Sequence, residues 1–175
     1  MNGGTMNHVV TFSGGINSWA AAKRVAKCYG TERLTLLFAD TRIEDQDLYR
    51  FIKEAAANVG GTFVEIHEGR TPWQVFFDER YLGNSRVDPC SKILKRQLLD
   101  RWLKEYTTTC GETLVAYGFD WSEGHRMQRM LCHDAPWQRW APLLEPPYLS
   151  KAEILAMLKA EGLAPPRLYA LGFQH

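Results

Sequence analysis

Six consecutive residues near the amino terminus, Ser13-Gly14-Gly15-Ile16-Asn17-Ser18, have the types and order that suit an oxyanion. Two glycines permit backbone conformations closed to other residues, so that successive N–H groups converge on one anion. A helix opening at about Ser18 adds the positive end of its dipole, and Ser13 and Ser18 add hydroxyl donors. The segment is neither the Walker loop, which needs G-K-S/T, nor the G-x-G-x-x-G of dinucleotide folds. A tight turn that uses its glycines for geometry alone is the competing explanation. Its place after the first strand of an alternating α/β chain favours a cradle for phosphate or sulfate.

Further along, Lys92, Lys95 and Arg96 stand at i, i+3 and i+4, so on an α-helix they share a face. That face either neutralises phosphates, with Arg86 beside it, or is simply solvated. Cys90 begins the same helix, where the dipole together with Lys92 and Arg86 is expected to lower its thiol pKa. A nucleophile or sulfur carrier is one role for it, and a small packing residue is the other. Asp40 ends a strand on the ligand side of the sheet or caps the turn that follows. Glu123 and Arg126 clamp a substrate or pair with each other at the surface. Trp73, Trp102, Trp121, Trp137 and Trp140 are expected in the core or in a lid.

These residues need elements to position them. The run His8–Phe12 reads as a buried strand, and a helix follows over about 18–29 with Ala21, Ala22, Val25 and Tyr29 on one face and Gly30 as its stop. Strands are expected over 34–39, 62–67 and 113–118, and helices over 46–58 and 91–106. Thr71-Pro72-Trp73-Gln74 and Ser150-Lys151-Ala152-Glu153 each carry the capping signal of a helix start. The stretch 136–148 is expected as a long ordered loop. Strand and helix alternate throughout, which implies a largely parallel sheet with helices on both faces and ligands beyond the carboxyl ends of the strands.

The chain of 175 residues fits one domain, 1–175, with residues 1–6 as a short loose leader. At 45% hydrophobic, 23% charged and a net charge of +1, nothing global points to nucleic acid or to a membrane surface. Cys28, Cys90, Cys110 and Cys132 form no C-x-x-C pair, so reduced thiols and a cytoplasmic location are expected. No apolar run is long enough to span a bilayer.

The phosphate loop resembles the S-G-G-x-D-S hallmark of the PP-loop superfamily, and the whole chain is similar to its phosphoadenosine phosphosulfate (PAPS) reductase-like family. Phe38-Ala39-Asp40-Thr41 with Glu44 looks like the family's D-T-x-x-x-E segment beside the nucleotide. Arg86 to Arg96, with Cys90-Ser91-Lys92-Ile93-Leu94-Lys95, is similar to its C-T-x-x-L-K element. Gly118, Glu123 and Arg126 fall on G-x-R-x-x-E-x-x-R, and Pro142-Leu143 with Leu168-Tyr169-Ala170-Leu171-Gly172 follow P-L … L-Y-x-x-G. The resemblance implies a Rossmann-like three-layer α/β domain with about five mostly parallel strands. It implies an adenine nucleotide held by Ser13 to Ser18 and by Phe38, Asp40, Arg86, Gly118, Glu123 and Arg126.

Three departures bear on function. Asn17 stands where the family has Asp, and Asp120 stands where it has a phosphate-clamping Arg. The sequence given ends at His175, where the reductases continue into a tail with the catalytic cysteine, and paired cysteines for an iron–sulfur cluster are absent. PAPS reduction by that route is therefore not expected, nor is a cluster. The favoured expectation is an enzyme that cleaves ATP between the α and β phosphates, with Mg²⁺, and adenylylates an unknown acceptor while Lys92 or Lys95 neutralises charge. The alternatives are a non-catalytic nucleotide sensor and sulfonucleotide chemistry at Cys90. A homodimer is left open.

Overall fold

The computed structural model describes residues 6–82 and 88–173, so of the expected leader only Met6 falls within it. Its centre is a sheet in which period-two sequence faces two layers of helix. Strands β1 (Asn7–Thr11), β2 (Leu34–Asp40), β3 (Thr62–His67), β4 (Thr113–Tyr117) and β5 (Gln138–Trp140) stand in the order β3-β2-β1-β4-β5. Every neighbouring pair is parallel, with His8 opposite both Leu34 and Leu114.

Because successive side chains on a strand point to opposite faces, each central strand feeds two cores. On one face, Val10, Leu36, Phe38 and Ala116 meet helix α1 (Ile16–Tyr29), α2 (Gln46–Val59) and α7 (Lys151–Ala160) through Ala21, Val25, Phe51, Ile52 and Ile154. On the other, Val9, Leu37, Val115 and Tyr117 meet Leu103 of α5 (Leu98–Cys110) together with Trp137. Burying each such Leu, Ile or Phe contributes roughly 1.5–3 kcal/mol, so the sheet and its helices fix where the strand ends lie.

Local chemistry sets the helix ends. Asp45 caps α2 by accepting the Asp47 amide at 2.9 Å, and α3 (Pro72–Glu79) and α7 open on the expected capping boxes at Thr71 and Ser150. Gly30 and Gly60, at φ 78° and 84°, stop α1 and α2 in a conformation that other residues avoid.

Three regions differ from the sequence reading. The helix expected over 91–106 begins earlier, at α4 (Pro89–Ser91), where Asp88 is the cap and Pro89 supplies a fitted φ. It then widens into a π-helix over Lys92–Gln97 before α5 carries it on to Cys110. The stretch 136–148 contains the edge strand β5, which is only three residues long. A short helix α6 (Gly124–Leu131), none of whose residues is buried, follows β4. Of the tryptophans, Trp137 is buried, whereas Trp73 and Trp121 are exposed.

Candidate functional site

Strand order reverses on either side of β1, which has β2 on one flank and β4 on the other. The crevice beyond the carboxyl ends of β1 and β4 is thus the place where a parallel sheet of this kind accepts a ligand. The loop Ser13 to Ser18 leaves β1 there. Gly14 has φ 83°, and a Cβ on it would lie 2.8 Å from Ile52 Cδ1, so both the turn and the packing against α2 exclude a side chain. Gly15, at φ −83°, adopts a conformation open to any residue, so only one of the two glycines is there for its backbone freedom.

Gly15 is the N-cap of α1, which starts two residues earlier than the sequence suggested. Gly15 offers α1 no capping side chain, unlike the N-cap residues of α2, α3 and α7, and no acidic residue lies in the first turn of α1. Uncapped amides and an unopposed dipole make a helix start receptive to an anion. Ser13 is exposed at the mouth, whereas Ser18 is 2% exposed. The Ser18 hydroxyl donates to the Gly15 carbonyl at 2.7 Å and so helps to shape the loop.

The turn after β4 closes the other side. A Cβ on Gly118 would lie 2.8 Å from both the N and the Cα of Ser18, which are backbone atoms with no room to move aside. Gly118 therefore lets the β4 end touch the α1 start. Two residues on, the Asp120 carboxylate accepts from Asn17 Nδ2 at 3.2 Å and from the Ser122 amide at 2.9 Å. Burial opposes ionisation of Asp120, but these bonds and the Ser122 hydroxyl outweigh it and hold the carboxyl below its usual range. Glu123 pairs with Arg126 and also accepts from the Asp120 amide at 3.4 Å. The Arg126 guanidinium lies 4.5 Å from the centre of the Phe119 ring. Glu123 and Arg126 are thus engaged with each other and with their own turn.

At the end of β2, Asp40 accepts from Tyr49 Oη at 2.6 Å and from the Arg42 amide at 2.8 Å, so it caps the turn. Burial and this bond push the Tyr49 phenol far above its ordinary pKa. Phe38 is 2% exposed and meets Tyr49 edge-on within the core, which leaves its ring no face for a base. Lys95 reaches Glu44 at 3.3 Å, and Glu44 also accepts from the Thr41 hydroxyl at 2.9 Å.

The π-helix changes how the basic residues are presented. Its i→i+5 bonding widens each turn, so residues three apart no longer stack as they do on an α-helix. Lys95 leans towards the β2 end, while Lys92 and Arg96 are exposed. Cys90 departs from the expectation of an activated thiol. Burial pushes its pKa up, and the Asp88 carboxylate, 2.9 Å from its sulfur, adds to the rise. Arg86 lies outside the described residues.

In the sequence Tyr169 stands only as part of the L-Y-x-x-G pattern, and the fold brings it to the loop. Its hydroxyl accepts from the Ile16 amide at 3.3 Å. The short helix carrying it, Arg167–Leu171, is tied to the α2 start, where Arg167 Nη2 lies 2.5 Å from Asp45 and the Arg167 amide donates to Asp47 at 2.7 Å. No local signal places it there, since Tyr169 and Ile16 are 153 residues apart.

Asn17 is 9% exposed, and its Oδ1 is buried with no hydrogen-bond partner among the described residues. With the Asp120 carboxylate it offers hard oxygens of the kind that Mg²⁺ takes alongside phosphate oxygens. Among the described residues no group of three or more His, Cys, Asp or Glu is arranged to hold a metal by itself. The residues fit a cation that arrives with phosphates.

Comparison with known proteins agrees with this geometry. Residues 7–175 match the phosphoadenosine phosphosulfate reductase domain family. No curated protein matches the chain. Among solved structures, the chain is similar to phosphoadenylyl-sulfate (PAPS) reductase from Candida auris in a phosphate complex, with TM-score 0.61 and 15% identity over 98% of this chain and 80% of that one. It is also similar to the NH3-dependent NAD synthetase from Campylobacter jejuni in complex with a nitrate ion, with TM-score 0.55 and 17% identity over 96% of this chain and 69% of that one. At these identities the likeness is one of fold. The match across 7–175 goes further, and on it the chain belongs to the phosphoadenosine phosphosulfate reductase domain family.

Proposed function

We propose that this chain is an adenine-nucleotide-binding enzyme that cleaves ATP between the α and β phosphates and adenylylates an acceptor. The start of α1 at the strand-order reversal carries this reading, because it has no N-cap side chain and no acidic residue in its first turn to oppose its dipole. In the reaction, a nucleophile of the acceptor attacks the α phosphorus. The bridging P–O bond breaks, and pyrophosphate leaves with the electron pair. The Ser13–Ser18 loop cradles that leaving group where negative charge develops. Lys95, from its place beside Glu44, and Lys92 neutralise charge on the outer phosphates. Bound Mg²⁺ would supply further charge neutralisation, held by Asn17 Oδ1 and Asp120. The acceptor is a small acid, a sulfur carrier or a nucleobase.

Family membership favours a second reading, in which the same loop holds a sulfonucleotide. The Asp88-bonded thiol of Cys90 weighs against that residue as its nucleophile. Mass spectrometry of nucleotide products after incubation with ATP, PAPS and adenosine phosphosulfate separates these readings. AMP or an adenylylated product from ATP supports the first. Thiol-dependent sulfite release supports the second. Binding of ATP with no product identifies a sensor and overturns the enzymatic reading.

A further inference from the structure

The two departures from the family pattern in the loops of this site, Asn17 and Asp120, lie 103 residues apart in sequence and touch in the fold. Where the family carries a carboxylate on the helix start and an arginine beyond β4, this chain carries an amide on the helix and a carboxylate beyond β4. The negative charge has crossed the crevice, and the positive one has gone. We propose that Asp120, oriented by Asn17, makes the site select a nucleotide whose phosphates carry a divalent cation over a bare nucleotide anion. The inference rests on the adenine-nucleotide reading above.

The physical basis is one of sign. A carboxylate at 3.2 Å from Asn17 Nδ2 sits beside the amides that would hold phosphate. A bare polyphosphate or sulfonucleotide brought there meets a like charge in a half-buried setting, where screening by water is weaker than in bulk. A divalent cation between the phosphates and Asp120 reverses the sign of that contact. Asn17 supplies the second requirement. Its Nδ2 is spent on Asp120, which leaves Oδ1 a buried acceptor with no partner among the described residues. An acceptor in that state suits a cation or its bound water. Lys151, which acts on Asp120 at a distance, tempers the repulsion of a bare anion without replacing the missing arginine.

The test is calorimetric titration at one ionic strength, of ATP with Mg²⁺, of ATP in EDTA, and of PAPS in EDTA. Asp120→Asn is the first variant, because Asn keeps the cap on Ser122 and removes only the charge. The parent is expected to bind ATP about tenfold or more tightly with Mg²⁺ than without it, from one screened charge contact. Asp120→Asn should bring that ratio close to one and should tighten PAPS binding. The double variant Asn17→Asp with Asp120→Asn returns the carboxylate across the contact and should restore the Mg²⁺ preference, which a merely structural role for Asp120 would not do. An Asp120→Asn protein that binds ATP with the parent's Mg²⁺ ratio overturns the proposal. So does a double variant that binds ATP with no Mg²⁺ preference. A parent that binds no adenine nucleotide under any of these conditions overturns the nucleotide reading instead.

Discussion

The Tyr169 hydroxyl accepts from the Ile16 amide at 3.3 Å, so a residue near one end of the chain engages the first turn of the phosphate-loop helix. That amide is one of the four that an α-helix leaves unpaired at its start. Tyr169→Phe should therefore cost about 0.5–1.5 kcal/mol of stability in the free protein, the net worth of one neutral hydrogen bond. With saturating ATP and Mg²⁺ the cost should shrink, because a phosphate oxygen takes over the amide. Urea unfolding with and without nucleotide measures both values. An equal loss in the two conditions would mean that the Ile16 amide does not face the ligand.

Gly118 is where adding one carbon should do most harm at the site. Its Cβ would meet the Ser18 backbone at 2.8 Å, so Gly118→Ala must push β4 and α1 apart. Overpacking of this kind costs typically 1–3 kcal/mol. Nucleotide affinity should fall by at least about tenfold, since the displaced atoms belong to the first turn of α1. Gly124→Ala, on the same connection but with open space around its Cβ, is the control and should behave like the parent. If Gly118→Ala binds nucleotide normally in a titration, the β4 end does not shape the cradle.

Lys95 and Lys92 are no longer equivalent once the π-helix separates them. Lys95→Ala should weaken ATP binding roughly ten- to a hundredfold, the worth of one charged hydrogen bond to a phosphate at about 1.5–3 kcal/mol. Lys92→Ala should do less, because its side chain is exposed. Cys90→Ser should leave affinity unchanged, with Asp88 still able to accept from a hydroxyl. Isotherms for the three variants at a fixed salt concentration decide the order. A serine variant that fails to bind while both lysine variants succeed would put Cys90 against the ligand.

Away from the site, His8 gives the fold a defined response to pH. It stacks on Tyr29 with ring centroids 4.2 Å apart, its Nε2 is buried without a hydrogen-bond partner among the described residues, and burial lowers its pKa from the ordinary 6.5. A histidine whose folded pKa is depressed contributes no penalty above 6.5, where both states are neutral. As pH falls below 6.5 the unfolded chain takes up the proton first, and stability drops until the folded pKa is passed. Denaturant midpoints between pH 7.5 and 5 should show this fall, and His8→Phe should flatten it. A histidine variant with the parent's slope would place the pH response elsewhere.

Much of this protein was legible along the chain because the signals are local. Val9 and Val10 feed opposite cores through the two-residue period of a strand, and Leu48, Phe51, Ile52, Ala55 and Val59 share one side of α2 through the helical period. Thr71 and Ser150 mark their helix starts within four residues. The phosphate loop is equally local, a strand, a glycine turn and a helix in sequence. What needed the tertiary structure is whatever depends on contact between distant segments. Three residues of β5 carry too little pattern to read, and they become a strand only because β4 offers an edge to pair with. The basic residues at 92, 95 and 96 look like one face until i→i+5 bonding spreads them apart. Cys90 reads as activated from its helix position, but burial and then the Asp88 carboxylate reverse the sign. Asn17 and Asp120 read as two separate losses of charge. Only the fold, by running β4 against α1 at Gly118, makes them one contact, because hydrogen bonds act over three ångströms and not along the chain.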